Sequence, residues 1–241
     1  MKYMEFKKIL DSLDSEIYRE VFQENQDNIR IKKEKTAVKN FEKIFDAVFQ
    51  ITYEKGFQAM TMRDLSSRTN MSLGSLYAYF ASKEELLSII HRQGGSMIKN
   101  VFAKFHNPDD PPLEQLRSVI KVHIFLSEAS RPWFYFTFME AKNLDTEGRA
   151  AVLSMEEHTE NMLVHILETG EQQGVFLKRN HLLTASIIKA MQQEWYLKRW
   201  KYKKRKISVD DYADYVLEFT ESFCLNAEQV KYNFPDNSIG Q

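Results

Sequence analysis

The chain has few residues that break helices. Its 241 residues include eight glycines and five prolines, and the first 55 include neither. That leaves little punctuation for β-hairpins and favours long helical periods, so the expected fold class is all-α. A single cysteine, Cys224, excludes an internal disulfide and any zinc site built from several thiolates. No apolar run approaches membrane-spanning length, and the start, MKYMEFKKILDS, is too charged for a secretory signal. A reduced, cytoplasmic location with no membrane partner is expected.

Net charge is nearly absent as well: 33 Lys and Arg stand against 34 Asp and Glu, giving −1. Overall charge therefore offers no long-range pull on nucleic acid, and any such attraction has to be local. The chain has no GxGxxG, GxxxxGK[ST] or GxSxG stretch and no visible nucleophile–base pair, so it is not expected to be an enzyme. His158 and His165 lie seven apart on one helical face without carboxylates at useful spacing, so neither a metal nor a cofactor is expected.

What is present is a dense signal over Thr61 to Leu87, TMRDLSSRTNMSLGSLYAYFASKEELL. Thr61 and Asp64 have capping-box spacing, which opens a helix with Leu65 inside. Thr69-Asn70 breaks the period, and Ser72 caps a second helix, LGSLYAYF. Leu76 and Phe80, four apart, share its buried face, leaving Leu73, Gly74, Ser75, Tyr77 and Tyr79 outward. Ser82 and Glu85 cap a longer third helix. Two short helices at a tight turn, the second exposing small and aromatic residues, form the pattern of a helix-turn-helix whose second helix fits the major groove.

The wording of this stretch closely resembles the DNA-binding domain of the TetR family of transcriptional repressors, with a looser match from about Thr36 through Phe45 and Gly56-Phe57. The resemblance implies that Thr61, Arg63, Ser75, Tyr77, Tyr79 and Lys83 touch DNA, and that Leu73 and Gly74 read sequence. Ser72 belongs to the same DNA-binding set as the cap of the reading helix. By their chemistry, the Arg63 guanidinium suits a phosphate, and the hydroxyls of Ser75, Tyr77 and Tyr79 suit phosphate or base edges.

The expected organisation is an extension over 1–35, a helix-turn-helix domain over 36–82, a ligand-binding and dimerisation domain over 83–228, and a tail over 229–241. In the extension, Ile9, Leu13, Ile17 and Val21 are spaced four apart, as in one helical stripe, which suits either a docked arm or an extra contact. Arg30, Lys32, Lys33, Lys35 and Lys39 face a single acid, Glu34, which suits a solvated face or phosphate contact. Phe41, Ile44, Phe45, Val48 and Thr52 form the stripe of the first helix of the domain, which Gly56 ends. Phe57 and Met62 are expected to complete its core.

Ser82 to His106 reads as one long helix, with Gly94-Gly95 marking either a bend or a close packing site. Asn107 to Pro112 breaks it. The helix from Leu113 is apolar on more than one face, followed by the aromatic run RPWFYFTFME and a helix over Asp145 to Gly174. The form GEQQGVF near its end also resembles the ligand domain of TetR proteins. In that family the second domain holds a small-molecule pocket. His123, Trp133, Phe136, Met139, Met155 and Met162 are the candidates for an adaptable apolar wall here, or else they are core.

The last two helices, His181 to Lys201 and Ser208 to Leu225, carry two apolar stripes. Tyr212, Val216, Phe219 and Phe223 form one, and Ala213, Leu217, Thr220 and Cys224 the other. With Leu183 and Ile187 on the preceding helix, the first stripe is expected to be the dimer interface, a four-helix bundle as in TetR proteins. KRWKYKKRK over 198–206 suits a solvated helix end, or a phosphate-bearing ligand such as a coenzyme A thioester. The expectation is a homodimeric repressor that leaves a palindromic double-stranded DNA operator when a small apolar or aromatic effector binds. A helical enzyme and a protein-binding adaptor are the competing readings.

Overall fold

The computed structural model describes residues 1–11, 14–26, 29–144 and 146–226. Leu13 of the N-terminal stripe and the expected tail over 229–241 lie outside the described residues. The described chain is built from helices: α1 (Tyr3–Asp11), α2 (Asp14–Asn25), α3 (Glu34–Lys55), α4 (Met62–Thr69), α5 (Leu73–Leu76), α6 (Lys83–Phe105), α7 (Pro112–Ala129), α8 (Arg131–Glu140), α9 (Thr146–Gln172), α10 (His181–Leu197), α11 (Arg199–Lys204) and α12 (Val209–Cys224). Among the described residues no helix is long and apolar enough to cross a membrane.

The chain divides into two compact units that do not follow the linear division expected at residue 83. Unit 1 comprises residues 3–101 and 130–155, and unit 2 comprises 102–129 and the chain from 156. Thus most of α6, all of α8 and the start of α9 pack with the N-terminal helices.

In unit 1, α3 buries its whole expected stripe: Phe41, Ile44, Phe45, Val48 and Thr52, with Ile51 beside them. Gly56 ends the helix at φ 81°, donating its N–H to the Thr52 carbonyl at 2.8 Å. The extension is docked rather than frayed. Phe6, Leu10, Val21, Phe22 and Ile29 are buried, and the Tyr18 ring lies 5.9 Å from Phe45. Met60, not Met62, joins the core with Phe57, Leu65, Leu76 and Phe80. The reason is helix phase: Thr61 is the N-cap, so Met60 precedes the cap and Leu65 sits one turn inside, as in a hydrophobic staple.

Helices α6 and α8 meet at Gly94. A Cβ there would fall 1.7 Å from the Trp133 ring, so Gly94 is a close-packing position within helix α6. The Trp133 indole N–H donates to the Ile90 carbonyl at 3.1 Å, which satisfies the one polar atom of a buried ring.

In unit 2, α7 buries Leu116, Val119, Ile120, Val122, Ile124, Phe125 and Leu126, the multi-sided pattern expected of a surrounded helix. Arg117 of α7 grips Glu221 of α12 through two bonds of 2.7 Å. Trp195, Tyr202 and Tyr212 stack at centroid distances of 4.8 to 5.2 Å, joining α10, α11 and α12. Gly170 leaves room for Phe176, whose ring lies 2.0 Å from where a Cβ would sit, so the GEQQGVF stretch is a packed corner.

Candidate nucleic-acid interface and effector region

The helix-turn-helix is assembled by its caps. Thr61 Oγ1 accepts from the Asp64 N–H at 3.1 Å, and Asp64 accepts in return from the Thr61 N–H at 2.7 Å. Helix α4 ends at Asn70, which takes the left-handed conformation (φ 49°) that lets the chain reverse. Ser72 Oγ then accepts from the Ser75 N–H at 3.1 Å and starts α5. Arg68 braces the hairpin against α3 through Glu54 at 2.6 Å.

The exposed surface of the turn consists of Ser72, Leu73, Gly74, Ser75 and Tyr77, with Thr61 and Arg63 exposed at the start of α4. Gly74 would tolerate a Cβ, since only Ser72 Oγ lies as near as 4.0 Å. Nothing in the chain's own packing demands a glycine at this exposed position. Among the described residues Arg63 forms no ion pair; Lys55 takes the Asp64 carboxylate at 2.7 Å. That contact and the bonds from Thr61 hold the Asp64 carboxyl well below the usual carboxylate range. The Thr61 hydroxyl also donates to Asp64 at 2.6 Å, so its proton is already engaged.

Two expected contacts are corrected. Tyr79 is 1 % exposed and belongs to the core, with its ring 5.2 Å from Phe41 and its hydroxyl accepting from Asn40 Nδ2 at 2.6 Å. The cause is that α5 stops at Leu76, whereas a helix through Phe80 was expected. Ala78 and Tyr79 donate to the carbonyls three residues back, a tighter turn that places Tyr79 over buried Leu76. Tyr77 stays outside, 47 % exposed. Lys83 is likewise not free for phosphate. Its ammonium donates to the carbonyls of Phe57, Gln58 and Met60 at 3.1 to 3.4 Å and lies over the Phe57 ring. It neutralises three carbonyl dipoles in the loop before α4.

Of the basic run, Arg30 is held beside the reading turn by its own backbone N–H, which donates to the Ala78 carbonyl at 2.9 Å. Lys32, Lys33, Lys35 and Lys39 are exposed. Glu34, the single acid among them, pairs with Arg19 at 3.3 Å. Cations beside a groove-sized helix position a protein on phosphates without choosing sequence.

The six effector candidates are divided between the two units. Trp133, Phe136, Met139 and Met155 lie in unit 1, and His123 and Met162 in unit 2. Trp133 and Phe136 are buried, and Phe136 sits 5.4 to 5.7 Å from the rings of Phe49, Phe57 and His91. Met139 is exposed, and Met155 packs near Gly95. Beside Phe136, neither ring nitrogen of His91 has a partner, and burial pushes its pKa down to about 4.

In unit 2, His123 is buried 6.4 Å from the Phe102 ring, and burial with the nearby Lys189 cation holds its pKa far below the usual histidine range. Lys189 is itself buried, donating to Thr159 Oγ1 at 2.7 Å and pairing with Glu156 at 3.3 Å. Burial lowers its pKa against the pull of Glu156. The inward face of α10 also carries Gln192, buried beside Ile188 and Trp195. Lys189 and Gln192 were not among the expected residues. Their signal in the sequence is that each shares helical spacing with apolar neighbours. His158 and His165 are exposed on α9.

The dimer stripe is also redrawn. Leu183 and Ile187 of α10 and Phe219 and Phe223 of α12 are exposed, as expected of an unpartnered apolar face. Val216 is 3 % exposed and belongs to the core of unit 2, and Tyr212 is part of the Trp195–Tyr202 cluster, with its hydroxyl donating to the Met191 carbonyl at 2.6 Å. Tyr215, four residues before Phe219, takes their place on the outer face. In the basic cluster, Lys198 and Lys201 pair with Glu194, and Arg199 pairs with Glu128, while Lys203, Lys204, Arg205 and Lys206 are exposed.

Against known proteins, the family described as bacterial regulatory proteins, tetR family, matches residues 44–89. The tetracyclin repressor-like C-terminal domain matches residues 109–220. The HTH-type transcriptional repressor KstR2 of Mycobacterium tuberculosis is 28 % identical over 127 residues, 51 % of this chain and 62 % of that protein. The chain therefore spans less than two thirds of the length of that relative. In three dimensions, the KstR2 structure superposes with a TM-score of 0.70 at 19 % identity, covering 78 % of this chain and 95 % of that one. The structure of AibR in complex with isovaleryl coenzyme A and operator DNA gives 0.66 at 18 %, covering 74 % and 96 %. At those identities the two superpositions speak to the fold alone.

Proposed function

The chain belongs to the TetR family of transcriptional regulators, and from that premise we propose that it is a homodimeric, sequence-specific DNA-binding repressor, cytoplasmic, that leaves a palindromic operator when a small effector with an apolar or aromatic body binds. The observation that carries this reading is the reading turn itself. A capped helix exposes Leu73, Gly74, Ser75 and Tyr77 together, with exposed Arg63 at the start of α4 and Arg30 tied to the turn through its backbone N–H. Leu73 and Tyr77 meet base edges, Ser75 and Arg63 meet phosphates, and the Lys32 to Lys39 cations add affinity and salt dependence. Leu183, Ile187, Tyr215, Phe219 and Phe223 form the face that pairs with a second copy, because an exposed apolar patch of this kind marks an interaction surface. Residues 36–82 serve as the reading domain, and the chain from 83 to 228 serves effector binding and dimerisation.

The mechanism is a shift in population. Two reading helices fit half-sites roughly 34–36 Å apart only in one arrangement of the dimer. An effector that binds the other arrangement ~100-fold more tightly supplies roughly 2.7 kcal/mol against DNA binding. Support for a small-molecule effector comes from AibR, whose structure holds both isovaleryl coenzyme A and operator DNA.

The test is titration of the purified protein with the DNA upstream of its own coding region and with scrambled DNA, at several salt concentrations. The expected result is a preference for the native DNA of at least a hundredfold, with affinity falling steeply as salt rises. Equal affinity for both DNAs would end the reading.

A further inference from the structure

The inward face of α10 carries a polar group that the protein leaves unsatisfied. Gln192 is 1 % exposed, and among the described residues neither its Nε2 nor its Oε1 has a hydrogen-bond partner. A buried amide without partners costs free energy on both its donor and its acceptor side, and native proteins rarely keep one without a use for it. One turn before it, Lys189 places its ammonium on Thr159 and Glu156 of α9, and its cation acts on His123 of α7. Three helices of unit 2 therefore meet in a polar cluster, and the same helices carry buried Ile188, Leu163, Ile166 and Phe125. Lys189 has a side-chain exposure of 6 % and Glu156 one of 46 %, so the cluster reaches the surface at its Glu156 end.

We propose that this cluster is the head-group site of the effector, and that the head it takes is uncharged and carries a donor and an acceptor on one side, as a primary carboxamide or a lactam does. The inference rests on the reading that an effector binds in the second unit, and it names the chemistry of that effector. Charge balance decides the class. The Lys189 cation is already matched by the Glu156 carboxylate, so an anionic head would bring a second, unmatched charge into a dry site. An amide adds none, and its N–H and C=O complement the free Oε1 and Nε2 of Gln192 in a two-point pair. The buried aliphatic residues of these helices and Met162, one turn on from Thr159, suit an apolar body behind the head.

The test uses the full-length protein and a variant, Gln192→Leu, which keeps the volume and removes the amide. Thermal unfolding is followed with a panel of linear and aromatic C6 to C10 primary amides, each beside its matching carboxylate. The expected result is a higher melting temperature for Gln192→Leu than for wild type without ligand, as a buried orphan is removed. At least one amide should also raise the wild-type midpoint with a tenfold or greater loss of affinity in the variant. Three results would overturn the proposal: carboxylates stabilising where amides do not, amide binding unchanged in Gln192→Leu, or no stabilisation by any amide. A lower midpoint for unliganded Gln192→Leu would do the same, since it would make Gln192 a structural group. The conservative Gln192→Glu checks the charge argument and should lose amide binding as well. Operator binding is read separately: an amide that binds through Gln192 but leaves DNA affinity unchanged sinks the release mechanism and leaves the head-group site standing.

Discussion

The reading turn of unit 1 and the α10–α12 face of unit 2 both carry large apolar and aromatic side chains, and both divide them between core and surface. In the turn the division separates Tyr77 from Tyr79. On α12 it separates Phe219 and Phe223 from Val216. The turn divides because the backbone tightens after Leu76, which swings Tyr79 onto the buried side. Helix α12 divides because it is apolar around much of its girth, and packing against α7, α10 and α11 selects which arc is covered. One region is decided by local backbone hydrogen bonds, the other by tertiary contact.

The largest effect expected from testing that contrast is at Tyr79. Tyr79→Ala removes a ring packed on Phe41 and its bond with Asn40, and should lower stability by about 3–5 kcal/mol. Tyr77→Ala, two residues away, should change stability by no more than about 0.5 kcal/mol while weakening operator binding about tenfold, or ~1.4 kcal/mol. Urea unfolding and DNA titration on the same two proteins decide it. A destabilised Tyr77→Ala would show that the turn does not divide as described.

On the other side of the comparison, Phe219→Glu places a charge in the exposed stripe and should weaken self-association by at least ~2 kcal/mol, roughly thirtyfold. Val216→Ala should lower the unfolding midpoint of the protein and leave the monomer–dimer constant in place. Sedimentation equilibrium separates the two. If Phe219→Glu remains as dimeric as wild type, the face has another use.

A smaller effect distinguishes the buried histidines from the surface ones. Folded His91 titrates near 4, whereas the unfolded chain takes up its proton near 6.5. Between those values the unfolded state binds more protons, so stability falls as pH falls through that window, by at most ~1.4 kcal/mol per pH unit from this group. Above it the group adds no pH dependence. His106 and His123 are shifted in the same direction by burial and add to the slope. His91→Leu should therefore reduce the acid sensitivity without abolishing it, as followed by denaturant midpoints from pH 7 to 4.5. An unchanged slope would show that His91 is not the buried neutral group described.

How much was legible in the sequence follows the same division. The all-helical fold, the α3 stripe, the caps at Thr61, Ser72 and Ser82 and the break over 107–112 are written in nearest-neighbour chemistry, where a side chain satisfies an N–H three residues away. The depth of Tyr79, the engagement of Lys83 and the use of Met60 in place of Met62 depend on where the chain ends a helix or begins the next. A shift of one residue there turns a side chain by a third of a circle. Trp133 and Phe136 look like pocket walls in the sequence because core and pocket use the same apolar residue types. Gln192 and Lys189 do not stand out in the sequence because polar residues on a helix are ordinarily solvated, and only packing turns them inward.

The finest test of the contrast between local and tertiary control uses two cations of the same unit. Arg63 is exposed and unpaired, so if it meets a phosphate, Arg63→Ala should lower the slope of log affinity against log salt by about 1 and weaken binding alike for native and scrambled DNA. Lys83 has its donors on the carbonyls of Phe57, Gln58 and Met60, so Lys83→Met should leave the salt slope unchanged and lower the unfolding midpoint instead. A slope that falls for Lys83→Met and not for Arg63→Ala would mean that the ammonium leaves those carbonyls when DNA arrives, and the loop before α4 would then have to rearrange on binding. The comparison is sharp because both side chains sit at the start of a helix, where the positive end of the backbone dipole already favours an anion, so only their engagement with the protein itself separates them.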